Sequence, residues 1–140
     1  MSVRIRAFEE RDTEPAVALW QAAGLTRPWN DPYLDIERKL AVQRELFLVA
    51  VDGDEVVGTV MGGYDGHRGW LYYLATAATH RGRGVGAALV AEVERLLLAM
   101  GCPKVQLMVR PDNQGARGFY AALEYEPFDT WATGKRLITD

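Results

Sequence analysis

Trp70-Leu-Tyr-Tyr-Leu-Ala-Thr-Ala77, then His80-Arg-Gly-Arg-Gly-Val-Gly86, then an apolar-periodic run to Met100: this stretch decides the fold. The first segment is aromatic and apolar, free of Pro and Gly, and long enough for one strand. After the glycines, Val85, Leu89, Val93, Leu96, Leu97 and Met100 recur at helical spacing, with Glu92, Glu94 and Arg95 between them. Gly101 supplies the helix stop. The Gly-rich run is therefore a strand-to-helix turn. Gly82, Gly84 and Gly86 place no Cβ in the way of a ligand. The first amides of the helix lack intrahelical partners and carry the positive end of its dipole, and Arg81 and Arg83 add full charge. Such a turn is an anion site, suited to a phosphate or pyrophosphate.

Spacing alone leaves the anion unnamed. Gly82-x-Gly84-x-x-Ala87 also fits a loose dinucleotide-binding pattern. Too little chain follows it to complete a doubly wound sheet, and no acidic residue stands about 20 positions on to hold a ribose. A phosphate-loop NTPase is excluded by the absence of Gly-x-x-x-x-Gly-Lys-Ser/Thr.

The totals narrow the class. A chain of 140 residues is expected to form one domain over residues 1–140, with 49% hydrophobic and 25% charged residues. A net charge of −3 argues against nucleic acid or an anionic membrane as the main partner. One cysteine, Cys102, allows no internal disulfide and suits a cytoplasmic protein. His67 and His80 stand far apart without a Cys or carboxylate cluster, so no metal site is expected. Residues 1–6 lack the apolar core of a signal peptide, and no run reaches membrane-spanning length.

Taken in order, residues 2–8 alternate as a first strand, and Asp12 reads as the N-cap of a helix carrying Ala16, Leu19, Trp20 and Ala23. Asp31-Pro32 opens a second helix, roughly to Val42. Residues 46–51 and 55–61 are strands joined through Asp52-Gly53-Asp54, a hairpin signal, and Gly62-Gly63 extend or bulge the second. Beyond the long helix, residues 104–109 alternate as another strand, residues 113–123 form a short helix, and residues 125–131 and 135–138 read as two further strands.

Arg81-x-x-Gly84-x-Gly86 after a strand resembles the acetyl-CoA pyrophosphate loop of the GNAT superfamily of N-acetyltransferases, written Arg/Gln-x-x-Gly-x-Gly/Ala. Asn113-x-x-Ala116-x-x-x-Tyr120 is similar to a second signature of that family, beside the pantetheine arm. The element order is similar too, so the resemblance spans essentially the whole chain. It implies an α/β (α+β) GNAT fold: a mixed, mostly antiparallel sheet of six to seven strands flanked by about four helices. Residues 27–32, 56–69 and 134–138 look similar to the small bacterial acetyltransferases called YpeA.

The resemblance implies an acyltransferase (EC 2.3.1.-) that moves an acetyl group from acetyl-CoA to a primary amine by direct attack. The amine belongs to a protein N-terminus, a lysine or a small molecule, and a homodimer is compatible with the family. Arg81, Gly82, Arg83, Gly84, Val85 and Gly86 would hold the diphosphate, with Leu74, Ala75, Thr76, Asn113, Ala116 and Tyr120 along the pantetheine. The main chain at residues 74–76 would pair with pantetheine amides like an added strand, and one N–H would steady the oxyanion. Tyr120 would be the general acid: a phenol of pKa about 10 can donate to a departing thiolate whose thiol ionises near about 8.5. Ala75, Thr76 and Ala78 depart mildly from the family, and Glu124-Tyr125 stands where Gly-Phe is usual, at a turn that prefers positive φ.

The general base stays open. Tyr72 and Tyr73 occupy the strand where the family often has Glu, leaving Asp31, Asp35, Glu37, Asp65, His67 or a water chain. The acceptor would sit between the first two helices and the last hairpin, against Trp29, Asn30, Tyr64, Asp65 and Trp131. Two rivals remain: an acyl-CoA-binding sensor without turnover, and a nucleotide-binding domain.

Overall fold

A computed structural model describes residues 2–140. Its centre is one five-stranded sheet in the order β1-β2-β3-β4-β5. The strands are β1 (Val3–Ala7), β2 (Phe47–Asp52), β3 (Glu55–Tyr64), β4 (Gly69–Thr76) and β5 (Val105–Gln106). The first four run antiparallel to their neighbours, and β5 is parallel to β4. The helices are α1 (Thr13–Ala22), α2 (Pro32–Leu40), α3 (Val85–Ala99) and α4 (Gln114–Ala122).

Period-two alternation divides the sheet into two apolar faces. Phe47, Val49 and Val51 of β2 pack with Trp20 of α1 and Ile36 of α2, while Leu48 and Ala50 pack with Leu89, Val90, Val93 and Leu97 of α3. Covered on both sides, β2 reads as an unbroken apolar run. The hairpin forms as expected, Asp52 opposite Glu55 across Gly53-Asp54, and β3 takes in Gly62 and Gly63. Two glycines let α3 lie directly on β3: a Cβ at Gly58 would come 2.9 Å from Val85 Cγ1, and one at Gly62 would come 2.7 Å from Val93 Cγ1.

The helix starts divide by chemistry. Asp31 caps α2 by accepting from the Tyr33 amide at 2.9 Å, with Pro32 in the first turn. Asp12, expected to cap α1, does not do so. Its buried carboxylate takes Arg6 at 2.7 and 3.0 Å and the Glu9 amide at 2.8 Å, closing the short turn before α1. The long helix α3 has no side-chain cap and no acid in its first turn. Five of its side chains are buried, each worth about 2 kcal/mol, against about 1 kcal/mol for a cap. Packing therefore holds α3, and its first amides stay uncommitted to a side chain.

The expected six to seven strands reduce to five. The fifth pairs only over Gly69–Val105 and Trp70–Gln106, not across residues 104–109. Just beyond, β4 carries a bulge: Thr59 faces Ala75 but Met61 faces Tyr72, and Tyr73 sits at φ +51°. A bulge adds twist and turns a strand away from its neighbour, so β4 and β5 part there. With β5 cut short, residues 125–131 and 135–138 have no edge to join and run as irregular chain. Phe128, Trp131, Leu137 and Ile138 stay exposed. The tail is held instead by charge: Asp140 accepts from the Asp31 amide and from Arg38, each at 2.9 Å. Glu124 does adopt positive φ, +70°, and the Tyr125 hydroxyl donates to Glu94 of α3 at 2.7 Å. Among the described residues no helix is long and apolar enough to cross a membrane.

Candidate functional site

The Gly-rich turn leaves β4 at Thr76. Ala77 donates its amide to Val57 O at 2.8 Å, and a single helical turn, Ala78–His80, follows. His80 is buried and anchors this corner: its Nε2 lies 2.9 Å from Asp52 Oδ2 and its Nδ1 lies 2.7 Å from Thr79 Oγ1. Nothing in the local sequence around His80 points to this anchor, because its partner lies 28 residues upstream on the hairpin. Arg81, Gly82, Arg83 and Gly84 then stand exposed.

The three glycines differ in function. Gly82 and Gly84 have φ of +74° and +82°, and a Cβ on either would meet nothing within 4 Å. Their backbone conformation is what calls for glycine. Gly86 is a packing glycine: a Cβ there would come 3.3 Å from the Phe119 ring and 3.6 Å from Thr76 Oγ1. One contact set thus joins the end of β4, the start of α3 and helix α4. The first bond into α3 runs from the Ala88 amide to Gly84 O at 3.0 Å, so the amides before it have no intrahelical acceptor. A cavity of about 240 Å³ adjoins them, lined by Val3, Ile5, Ala50, Arg83, Gly84, Val85 and Ala88.

From residue 71 to residue 76, β4 has no strand on the side where β5 left it. Leu74 packs toward α3, and Ala75 is buried toward α1. Across the gap, Asn113 caps α4 by accepting from the Ala116 amide at 3.0 Å. Phe119, Tyr120 and Tyr125 pack edge to face. Burial alone pushes the Tyr120 hydroxyl up to about 12.

On the opposite face the bulge is tied down. Tyr73 stacks on Trp20 with ring centroids 3.8 Å apart, and its carbonyl accepts from the buried Thr59 hydroxyl at 2.8 Å. Thr59 accepts in turn from Trp20 Nε1 at 2.8 Å. The Tyr73 hydroxyl donates to Asp35 Oδ2 at 2.6 Å, and Asn30 Nδ2 donates to the same oxygen at 2.6 Å. Burial, with the Asp35 carboxylate beside it, holds the Tyr73 phenol well above its ordinary range. Beside this cluster opens a second cavity of about 350 Å³, lined by Asp35, Arg38, Lys39, Val42, Met61, Tyr72 and Tyr73.

The five residues expected to line an acceptor pocket do not converge on that cavity. Asn30 reaches its edge through Asp35. Trp29 and Trp131 are 62% and 85% exposed. Tyr64 lies at the far end of β3, opposite Gly69. Asp65 spends its carboxylate on a turn, accepting from the amides of His67 and Arg68 and from Trp70 Nε1, which hold it below the usual carboxylate range. Of the five titratable candidates for a base, Asp31 caps α2, Asp65 closes its turn, and Glu37 and His67 are exposed. Only Asp35 lines the cavity.

Residues 6–125 match the family model described as the Acetyltransferase (GNAT) family. An acetyltransferase of Pectobacterium atrosepticum is 53% identical over 138 residues, covering 99% of this chain and 98% of its own. Ard1 from Thermoplasma volcanium superposes with a TM-score of 0.79 at 27% identity, over 88% of this chain and 82% of its own. AAC(6')-Iy, solved in complex with the bisubstrate analog CoA-S-monomethyl-acetylneamine, superposes with a TM-score of 0.80 at 19% identity over 99% and 100%.

Proposed function

The chain belongs to the acetyltransferase (GNAT) family, a family of acyltransferases, and from that membership we propose that it transfers an acetyl group from acetyl-CoA to a primary amine. One observation carries the reading. The unpaired side of β4, residues 71–76, leads through residues 77–84 to the uncapped start of α3. An extended chain of amides ending in a diphosphate suits a free strand edge followed by uncapped helix amides. The free edge of β4 would take the amide arm as an added strand, and the α3 amides, with Arg81 and Arg83 alongside, would take the diphosphate. The CoA-containing complex of AAC(6')-Iy supports this choice of cosubstrate. Cys102, a buried free thiol, supports a cytoplasmic setting.

The reaction is a direct displacement. The amine nitrogen bonds to the thioester carbonyl carbon, a β4 amide stabilises the oxyanion, and the carbon–sulfur bond breaks as the thiolate leaves. Tyr120 stays protonated throughout the physiological range, so it donates a hydrogen bond to that sulfur. On the other side of β4, Asp35, held in place by Tyr73 and Asn30, takes one proton from the bound ammonium so that the neutral nitrogen attacks, and the second proton, shed as the amide forms, ends on the departing thiolate.

Calorimetric titration with acetyl-CoA tests the reading. The wild-type chain should bind, and Gly84→Val should not, because φ of +82° excludes a β-branched residue and its side chain would cover the amides. Equal affinity in a folded variant removes the loop from the site. Binding without single-turnover consumption of acetyl-CoA across an amine panel marks the chain as a sensor.

A further inference from the structure

The cavity between α2 and β4 holds two charges that do not satisfy each other. Asp35 and Lys39 are four residues apart on α2, so they share one face of the helix, and both line the cavity. Among the described residues they form no ion pair with each other. Asp35 is engaged by Tyr73 and Asn30. Arg38, also on the cavity wall, is neutralised by Asp140 at 2.9 Å and stands 3.7 Å from Asp35. Lys39 is half-buried, and among the described residues its ammonium has no hydrogen bond or ion pair. The polar neighbour nearest in the sequence pattern, Gln43, is already occupied, accepting from the Tyr64 amide and donating to the Tyr64 carbonyl at 2.8 Å each. Burial pulls the Lys39 ammonium below the usual lysine range, with Glu45 opposing that from a distance.

Direction follows from the strands. Asp35 is bound to Tyr73, next to the stretch of β4 where the thioester would lie. Lys39 Nζ lies over Gly63, which pairs with Trp70 at the far end of β4; a Cβ on Gly63 would stand 3.7 Å from it. The cavity thus has a carboxylate at its reactive end and an unpaired cation at its outer end. The two residues' backbones stand about 6 Å apart along α2. Val42 and Met61 supply apolar wall.

We propose that Lys39 binds an anionic group on the acceptor, a carboxylate or a phosphate, so that the enzyme selects amines carrying such a group. This rests on the acetyltransferase reading above and names its substrate class. A half-buried lysine without a partner is stabilised by an anion, and a neutral amine leaves it desolvated and unpaired.

Acetylation kinetics on matched acceptors test it: 4-aminobutyrate and 3-aminopropyl phosphate against butylamine and 4-aminobutyramide. The wild type should favour the anionic members in kcat/KM by about tenfold or more, the lower bound for a hydrogen bond to a charged group. The carboxylate and phosphate arms show which anion fits. Lys39→Met should erase that preference through KM, leaving kcat for butylamine and the affinity for acetyl-CoA unchanged, and Lys39→Arg should restore part of it. Equal preference in wild type and Lys39→Met, or a wild type that favours the neutral amines, overturns the proposal. A readout without turnover stands beside it: the 13Cε resonance of Lys39 should shift on titration with 4-aminobutyrate in the unmodified chain and stay still with butylamine. A silent resonance refutes the lysine site even where acetyl-CoA binds. Failed acetyl-CoA binding with a responsive resonance refutes the cosubstrate reading instead.

Discussion

Replacing Thr59 by Val keeps the volume of the side chain and removes its hydroxyl. Thr59 is fully buried between Trp20 and Tyr73, accepting from one and donating to the other. The substitution leaves the indole N–H and the Tyr73 carbonyl without partners. An orphaned buried donor costs about 1–3 kcal/mol, and a carbonyl with a second lone pair costs less. The added methyl returns about 0.8 kcal/mol. The net is a loss of about 2–3 kcal/mol, which for a chain of this length is about 7 °C in Tm and about 1 M in urea midpoint. Urea unfolding at unchanged slope measures it. Thr59→Ser should stay near wild type because the hydroxyl remains. Trp20→Phe should cost less in the Thr59→Val background than alone, since the orphaned N–H is gone. The Tyr73 carbonyl belongs to the bulge, so the acceptor KM should rise together with the destabilisation. A Thr59→Val protein with a midpoint within about 0.3 M of wild type would refute the view that this hydroxyl holds the bulge.

Tyr120→Phe should lower kcat by about 100-fold while acetyl-CoA affinity changes little, a split that stopped-flow and calorimetry separate. With its hydroxyl near 12, Tyr120 should also add no alkaline limb to the pH–rate profile below about pH 11. Asp12→Asn should cost about 3 kcal/mol at pH 7 by breaking a largely buried pair, with side chains 18% and 4% exposed. Burial raises the Asp12 pKa, but Arg6 and the Glu9 amide outweigh it, so the folded value lies below the unfolded one. That stabilisation is present above about pH 4 and is lost as pH falls through the folded value, so thermal melts of wild type and Asp12→Asn should converge in acid.

Local chemistry made much of this legible in advance. Asp52-Gly53 at the hairpin turn, Asp31-Pro32 at the head of α2, and the α3 run with its glycine stop each carry their instruction within a few residues. The loop glycines were legible as a group, though only Gly82 and Gly84 need positive φ. What escaped depends on partners far along the chain. Alternation in the tail resembles strand, but a strand needs an edge, and the bulge at Tyr73, far upstream in the chain, removes that edge. Asp12 resembles a cap until Arg6 claims it from β1. The two tyrosines read as the absence of an acid, whereas Tyr73 reaches 38 residues back to hold one, Asp35.

The parting of β4 from β5 also governs how the molecule behaves in the test tube. A row of unfilled main-chain valences is indiscriminate: a neighbour's stretched backbone satisfies it as well as a small molecule does. Concentrated stocks should therefore drift toward dimers and larger species on storage, and an excess of ligand should both disperse them and lift the melting point.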